Sequence, residues 1–98
     1  MISFEEVEDL DKPVLMDFFA EWCGPCRMQT PIMEELDKKY GGRIEIKKID
    51  VDRNIELANR YNIMVVPTII LEKDGKEVRR WLGVTSKEEL SSAIDAIL

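Results

Sequence analysis

The chain of 98 residues carries 20 acidic against 14 basic side chains, a formal net charge of −6, and 45% of it is apolar. That length suits one domain spanning residues 1–98 with a single core. An acidic balance unbroken by any lysine–arginine cluster argues against nucleic acid and against an anionic membrane as partners.

No apolar stretch approaches the roughly 20 residues of a membrane span. The opening Met1-Ile2-Ser3-Phe4-Glu5-Glu6 lacks the basic start and apolar core of a secretory leader. A cytoplasmic protein whose thiols are kept reduced is therefore expected. Ser3-Phe4-Glu5-Glu6 reads as a capping box, with Phe4, Val7 and Leu10 then at helical spacing and Pro13 closing a short first helix. Residues 14–19 read as a buried strand. A second helix runs from the cysteines to about Tyr40, with Met28, Ile32, Met33, Leu36 and Tyr40 expected inward and Pro31 expected to bend it. Gly41-Gly42 ends it. A strand follows over 44–51, then a helix over about 54–61 with Ile55, Ala58 and Tyr61 inward. After Pro67 comes an apolar strand over 68–71. Lys73-Asp74-Gly75-Lys76 reads as a hairpin turn into a strand over 77–82. Gly83 breaks the chain, and Ser86-Lys87-Glu88-Glu89 opens a last helix with Leu90, Ala93, Ile94 and Ile97 inward. Met28, Met33 and Met64 are all read as core filler. Alternation followed by a hairpin implies a mixed sheet with helices on both faces, a three-layer α/β domain.

Cys23 and Cys26 are the two cysteines, and the chain has no histidine. Cys–His nucleophiles and histidine-ligated metals are therefore excluded together. The motif Trp22-Cys23-Gly24-Pro25-Cys26 lies where a strand gives way to a helix. Residues three apart inside a helix keep their Cβ atoms about 5–6 Å apart. A disulfide needs roughly 3.5–4.5 Å, so Cys23 is expected at the cap rather than inside the helix. Pro25 suits the first turn, where its missing N–H is no loss. A thiol placed there faces unpaired N–H groups and the positive end of the helix dipole. Such contacts favour the thiolate by roughly 1–2 kcal/mol, or about one pKa unit.

Other readings of the pair stand beside redox chemistry. Half of a zinc or iron–sulfur site would need further ligands, supplied by a second copy of the chain. A structural disulfide closing so short a loop restrains little chain entropy. Inert core cysteines, or a redox-dead binding module, complete the set. Asp17 interrupts an apolar strand; buried, its pKa would rise and suit a proton acceptor, whereas near the strand end it could simply reach water. Lys47-Lys48 in a strand must send one lysine to each face. Trp22 is either core filling or part of a surface beside Cys23.

The run Met16-Asp17-Phe18-Phe19-Ala20-Glu21-Trp22-Cys23-Gly24-Pro25-Cys26-Arg27-Met28 resembles the active-site strand and helix start of the thioredoxin family. Pro31, Lys48-Ile49-Asp50-Val51-Asp52, Val66-Pro67-Thr68 and Leu82-Gly83 extend that resemblance over nearly all the chain after residue 13. It implies a thioredoxin-like fold, with a four-stranded sheet because Met1-Ile2 leaves no room for the family's opening strand. It also implies a protein-disulfide reductase with no bound cofactor and no metal, working through a redox-active Cys23–Cys26 disulfide. Cys23 would be the exposed attacking thiolate and Cys26 the buried resolving thiol. Asp17 would take or relay the proton of Cys26, with Lys48 as its charged neighbour. Pro67 would be cis, with the Val66 backbone pairing an extended substrate. Trp22, Gly24, Pro25, Val66 and Gly83 would form a flat apolar docking surface. A thioredoxin reductase would supply electrons to a monomer serving electron transport and cell redox homeostasis. A glutaredoxin-like or isomerase role is the nearest rival, but Gly24-Pro25 and Gly83-Val84-Thr85 fit neither glutaredoxin motif. A non-catalytic adaptor is the alternative from another class.

Overall fold

A computed structural model describes residues 12–98. The helix expected at Ser3–Leu10 lies outside the described residues. In chain order the elements are β1 (Val14–Phe19), α1 (Gly24–Tyr40), a 3-10 turn (Gly41–Arg43), β2 (Glu45–Asp50), α2 (Ile55–Arg60), β3 (Thr68–Lys73), β4 (Lys76–Leu82) and α3 (Lys87–Ile97).

The four described strands form one sheet in the order β2-β1-β3-β4. β1 and β2 are parallel neighbours, with Asp17 opposite Lys48, and α1 is the crossover that parallel pairing demands. β1–β3 and β3–β4 are antiparallel. Asp74 and Gly75 both take positive φ, 55° and 77°, at the β3–β4 turn. That left-handed pair suits a two-residue loop whose twist matches the strands it joins.

β1 and β3 are central, and each is covered on both faces, which explains their near-continuous apolar runs. On one face Leu15, Ile69, Leu71 and Trp81 pack with Met33, Leu36 and Tyr40 of α1 and with Leu90 and Ile94 of α3. On the other, Met16, Phe18 and Ile70 pack with Leu57 of α2 and with Tyr61, whose ring centroid is 5.4 Å from that of Phe18. The result is the expected three layers. By strand alternation Asp17 shares the face of Leu15, beneath α1.

Three side chains are placed differently from the sequence reading. Met28 is 64% exposed, because the inward stripe of α1 is Cys26, Gln29, Met33, Leu36 and Tyr40; Gln29 occupies the position that hydrophobicity assigned to its neighbour. Ile55 is 63% exposed at the first turn of α2, whose inward residues are Leu57 and Ala58, followed by Tyr61. Met64 is 88% exposed in the segment before Pro67. Met33 is buried as expected.

Candidate active site

β1 delivers the chain through Ala20-Glu21-Trp22 into α1, and the Cys23 amide donates back to the Ala20 carbonyl at 3.1 Å. Cys23 is the N-cap of α1, in extended conformation (φ −92°, ψ 111°), with Gly24 the first helical residue and Pro25 in the opening turn. The cap position derived from disulfide geometry is the one found. The two sulfurs are joined as a disulfide with Cα atoms 5.3 Å apart, and the Cys26 amide donates to Cys23 Sγ at 3.2 Å. An unpaired amide of the first turn therefore points at the sulfur, which is the arrangement that stabilises negative charge there.

The expected contrast between an exposed Cys23 and a buried Cys26 is absent: each residue is 4% exposed. Both cysteines pack with Ala20, and Phe19, Val51 and Val66 lie against them. What differs is the surroundings. Cys23 Sγ lies 3.7 Å from the Val66 carbonyl oxygen, beside exposed Gly24 and Pro25. Cys26 lines a cleft of about 340 Å³ with Phe19, Ala20, Glu21, Arg27, Thr30 and Lys48.

Asp17 is wholly buried, and neither carboxylate oxygen has a hydrogen-bond partner among the described residues. It does not reach water at the strand end. Burial pushes its pKa up from 3.8 to about 6, and the Lys48 ammonium partly opposes that rise. Lys48 is the lysine of its pair turned toward Asp17's side of the sheet. Its Nζ donates to Thr30 Oγ1 of α1 at 2.9 Å and sits 4.6 Å over the Phe19 ring. Lys47 is exposed, and its Nζ lies 3.8 Å from a carboxylate oxygen of Glu45.

Around the disulfide, Trp22 is 69% exposed, which removes core filling as its role. Its indole N–H donates to Asp52 Oδ2 at 2.9 Å and fixes the ring. The Val66–Pro67 peptide is cis. Gly83, at φ 89°, donates its amide to the Pro67 carbonyl at 2.8 Å. Trp22, Val51, Ile63, Met64, Val65 and Val66 enclose a shallow apolar depression of about 200 Å³. The structure thus gathers Trp22, Gly24, Pro25, Val66, Pro67 and Gly83 into the neighbourhood of Cys23, and it places Lys48, the register partner of Asp17, in the cleft that Cys26 lines.

Sequence reasoning overlooked several neighbours. Met64, Val65 and Val84 add exposed apolar surface next to Val66 and Gly83; read singly, such residues look like core. Asp52 as the partner of Trp22 carries no sequence signal. Gln29 and Thr85 join α1 to the Gly83 loop through paired hydrogen bonds. Among the described residues, no group of three or more histidine, cysteine, aspartate or glutamate side chains converges as a metal site.

A family model described as Thioredoxin matches residues 3–96. The thioredoxin of Bacillus subtilis is 46% identical over 82 residues, covering 84% of this chain and 79% of that protein. The thioredoxin of Alicyclobacillus acidocaldarius is 40% identical over 96 residues, covering 98% of this chain and 91% of that protein. The crystal structure of Fasciola hepatica thioredoxin superposes with a TM-score of 0.85 at 37% identity, covering 96% of this chain and 89% of the other.

Proposed function

Because this chain belongs to the thioredoxin family and is a thiol–disulfide oxidoreductase, we propose that Cys23 attacks protein disulfides while Cys26 and Asp17 complete the exchange. The carrying observation is the Cys23–Cys26 disulfide at the N-cap of α1, in a fold whose strand β1 carries a buried carboxylate, Asp17, with no hydrogen-bond partner among the described residues.

The reaction starts from the reduced dithiol. The Cys23 thiolate attacks one sulfur of a substrate disulfide, forming a mixed disulfide and releasing the other substrate sulfur as a thiolate, which takes a proton. Cys26 then gives its proton to the Asp17 carboxylate and attacks Cys23 Sγ. The Cys23–Cys26 bond forms, the mixed disulfide breaks, and the second substrate sulfur leaves and is protonated. Two electrons have passed to the substrate together with two protons, one from Cys26 by way of Asp17 and one from solvent.

A base with a pKa of about 6 is mostly ionised at neutral pH, yet basic enough to accept a thiol proton transiently. Lys48 tempers Asp17 through charge and lines the open cleft beside Cys26. Trp22, Gly24, Pro25, Val66 and Gly83 present a largely apolar surface over the buried Pro67, on which an extended segment of the substrate lies and pairs with the Val66 backbone. The dithiol is the whole redox equipment, so the chain needs no bound cofactor. A thioredoxin reductase returns it to the reduced state. We place this activity in the cytoplasm, in a monomer, as part of electron transport and redox homeostasis. Among the described residues no helix is long and apolar enough to cross a membrane.

Insulin reduction tests this reading. Turnover is expected with a thioredoxin reductase and its own reductant, and without glutathione. Activity that required glutathione would transfer the chain to the glutaredoxin-like alternative.

A further inference from the structure

Gln29 is an unusual occupant of the inward stripe of α1. It is 0% exposed, one helical turn beyond Cys26 on the same face. An apolar side chain would fill this position without the cost of burying an amide, which is tolerated only when its hydrogen bonds are made. Here both ends bond to Thr85, and Nε2 also donates to Met33 Sδ at 3.6 Å. Gln29 Nε2 donates to the Thr85 carbonyl at 3.0 Å, and the Thr85 amide donates to Gln29 Oε1 at 2.8 Å.

Residue 85 lies between the end of β4 at Leu82 and the start of α3 at Lys87. Its backbone belongs to no strand or helix, and it is only 6% exposed. The Gln29 amide supplies the ladder that the sheet no longer provides. From Thr85 the connection continues: its Oγ1 donates to the Gly83 carbonyl at 3.0 Å, and the Gly83 amide donates to the Pro67 carbonyl at 2.8 Å. One run of hydrogen bonds therefore links the helix that carries Cys26, the loop that carries Gly83 and exposed Val84, and the cis-proline segment facing Cys23.

We infer that Gln29 is a positioning residue for protein substrates, holding loop 83–85 and through it the Pro67 segment in place for docking. The inference rests on the reading of Val66, Pro67 and Gly83 as the docking surface. A wall fixed in advance spares the substrate the entropy of ordering it. A small disulfide that touches only the sulfurs gains nothing from that wall.

The test uses Gln29→Met, which keeps length and shape but removes both amide bonds, and Thr85→Val, which cuts the link to Gly83 without touching the helix. Each is assayed against insulin and against the small aromatic disulfide dithiobis(nitrobenzoate). Both variants are expected to raise KM for insulin by about three- to tenfold, the scale of one or two buried hydrogen bonds. The insulin kcat and the rate with the small disulfide should stay at parental values, while the Gly83 and Thr85 amides exchange faster with solvent. A lowered melting temperature with KM unchanged would reduce Gln29 to a purely structural side chain and overturn the inference. Parallel losses on both substrates would also overturn it, by locating the effect in the dithiol. Val66→Asp separates the two levels. If it raises KM while Gln29→Met and Thr85→Val do not, only the role of Gln29 fails. If Val66→Asp is silent too, the docking surface itself is misplaced.

Discussion

Replacing Cys26 by serine is expected to abolish turnover and to leave the substrate covalently attached to Cys23. A serine hydroxyl cannot displace a sulfur from a disulfide, so the chemistry halts after the first exchange. The amide of residue 26, which donates to Cys23 Sγ, belongs to the backbone and survives the substitution. The stabilisation of the attacking sulfur should therefore persist, and attack should remain competent. Mass spectrometry of the variant mixed with a disulfide-containing protein should show a one-to-one adduct that dithiothreitol releases. Cys23→Ser should show neither turnover nor adduct. An adduct on Cys26 in the Cys23→Ser protein, formed as fast as that on Cys23, would reverse the assignment of the two sulfurs. Because both residues are 4% exposed in the oxidised pair, static burial does not distinguish them, and this outcome does.

Asp17→Asn is expected to stabilise the fold at alkaline pH while slowing the reaction. The folded pKa of about 6 lies above the reference of 3.8, so folding favours the protonated acid. The stability associated with that group is fully present below about pH 3.8 and is lost as pH rises through 6. A shift of that size corresponds to about 3 kcal/mol lost at pH 8 when the carboxylate is forced to ionise in place. Asparagine has nothing to ionise. Its stability relative to the parent should therefore grow by about 2–3 kcal/mol between pH 4 and pH 8. Urea unfolding of both proteins across that range reads the difference directly. A difference independent of pH would mean that the carboxylate is not held without water, and with it the cause of the raised pKa would go. In the insulin assay the parent should lose rate as pH falls through about 6 and Asp17 becomes protonated. The variant should be slow throughout and lack that inflection. Its loss of activity alongside a gain in stability identifies a group kept for chemistry at the expense of the fold.

Much of this was legible in the residues, and the exceptions share physical causes. β1 and the hairpin were readable because apolar runs and Asp74-Gly75 allow few alternatives. The cap position of Cys23 followed from the reach of a disulfide, and the structure has it at the N-cap. The cis bond at Pro67 came from the family resemblance, since proline alone says little about its isomer. The error at Met28 and Gln29 arose because a hydrophobicity stripe assumes polar side chains face water. Gln29 is inside because an irregular loop, distant in sequence, presents it with one acceptor and one donor. Met64 reads as core filler from its residue type, yet it sits on the surface beside Val65 and Val66. Apolar residues gathered around a reactive sulfur are surface that a partner covers, and only three-dimensional proximity distinguishes that from core. The site was therefore clearest where chemistry restricts residue type, at the cysteines and the interrupting aspartate, and least clear where its geometry is assembled from distant loops.

Alkylation of the fully reduced protein, followed residue by residue against pH, is the most direct test of the dithiol account. Cys23 should react selectively at neutral pH, its rate half-maximal below the roughly 8.5 of a free cysteine, with Cys26 far slower across the same range. Equal rates at the two sulfurs, or a Cys23 that awakens only at the pH of an ordinary thiol, would contradict it.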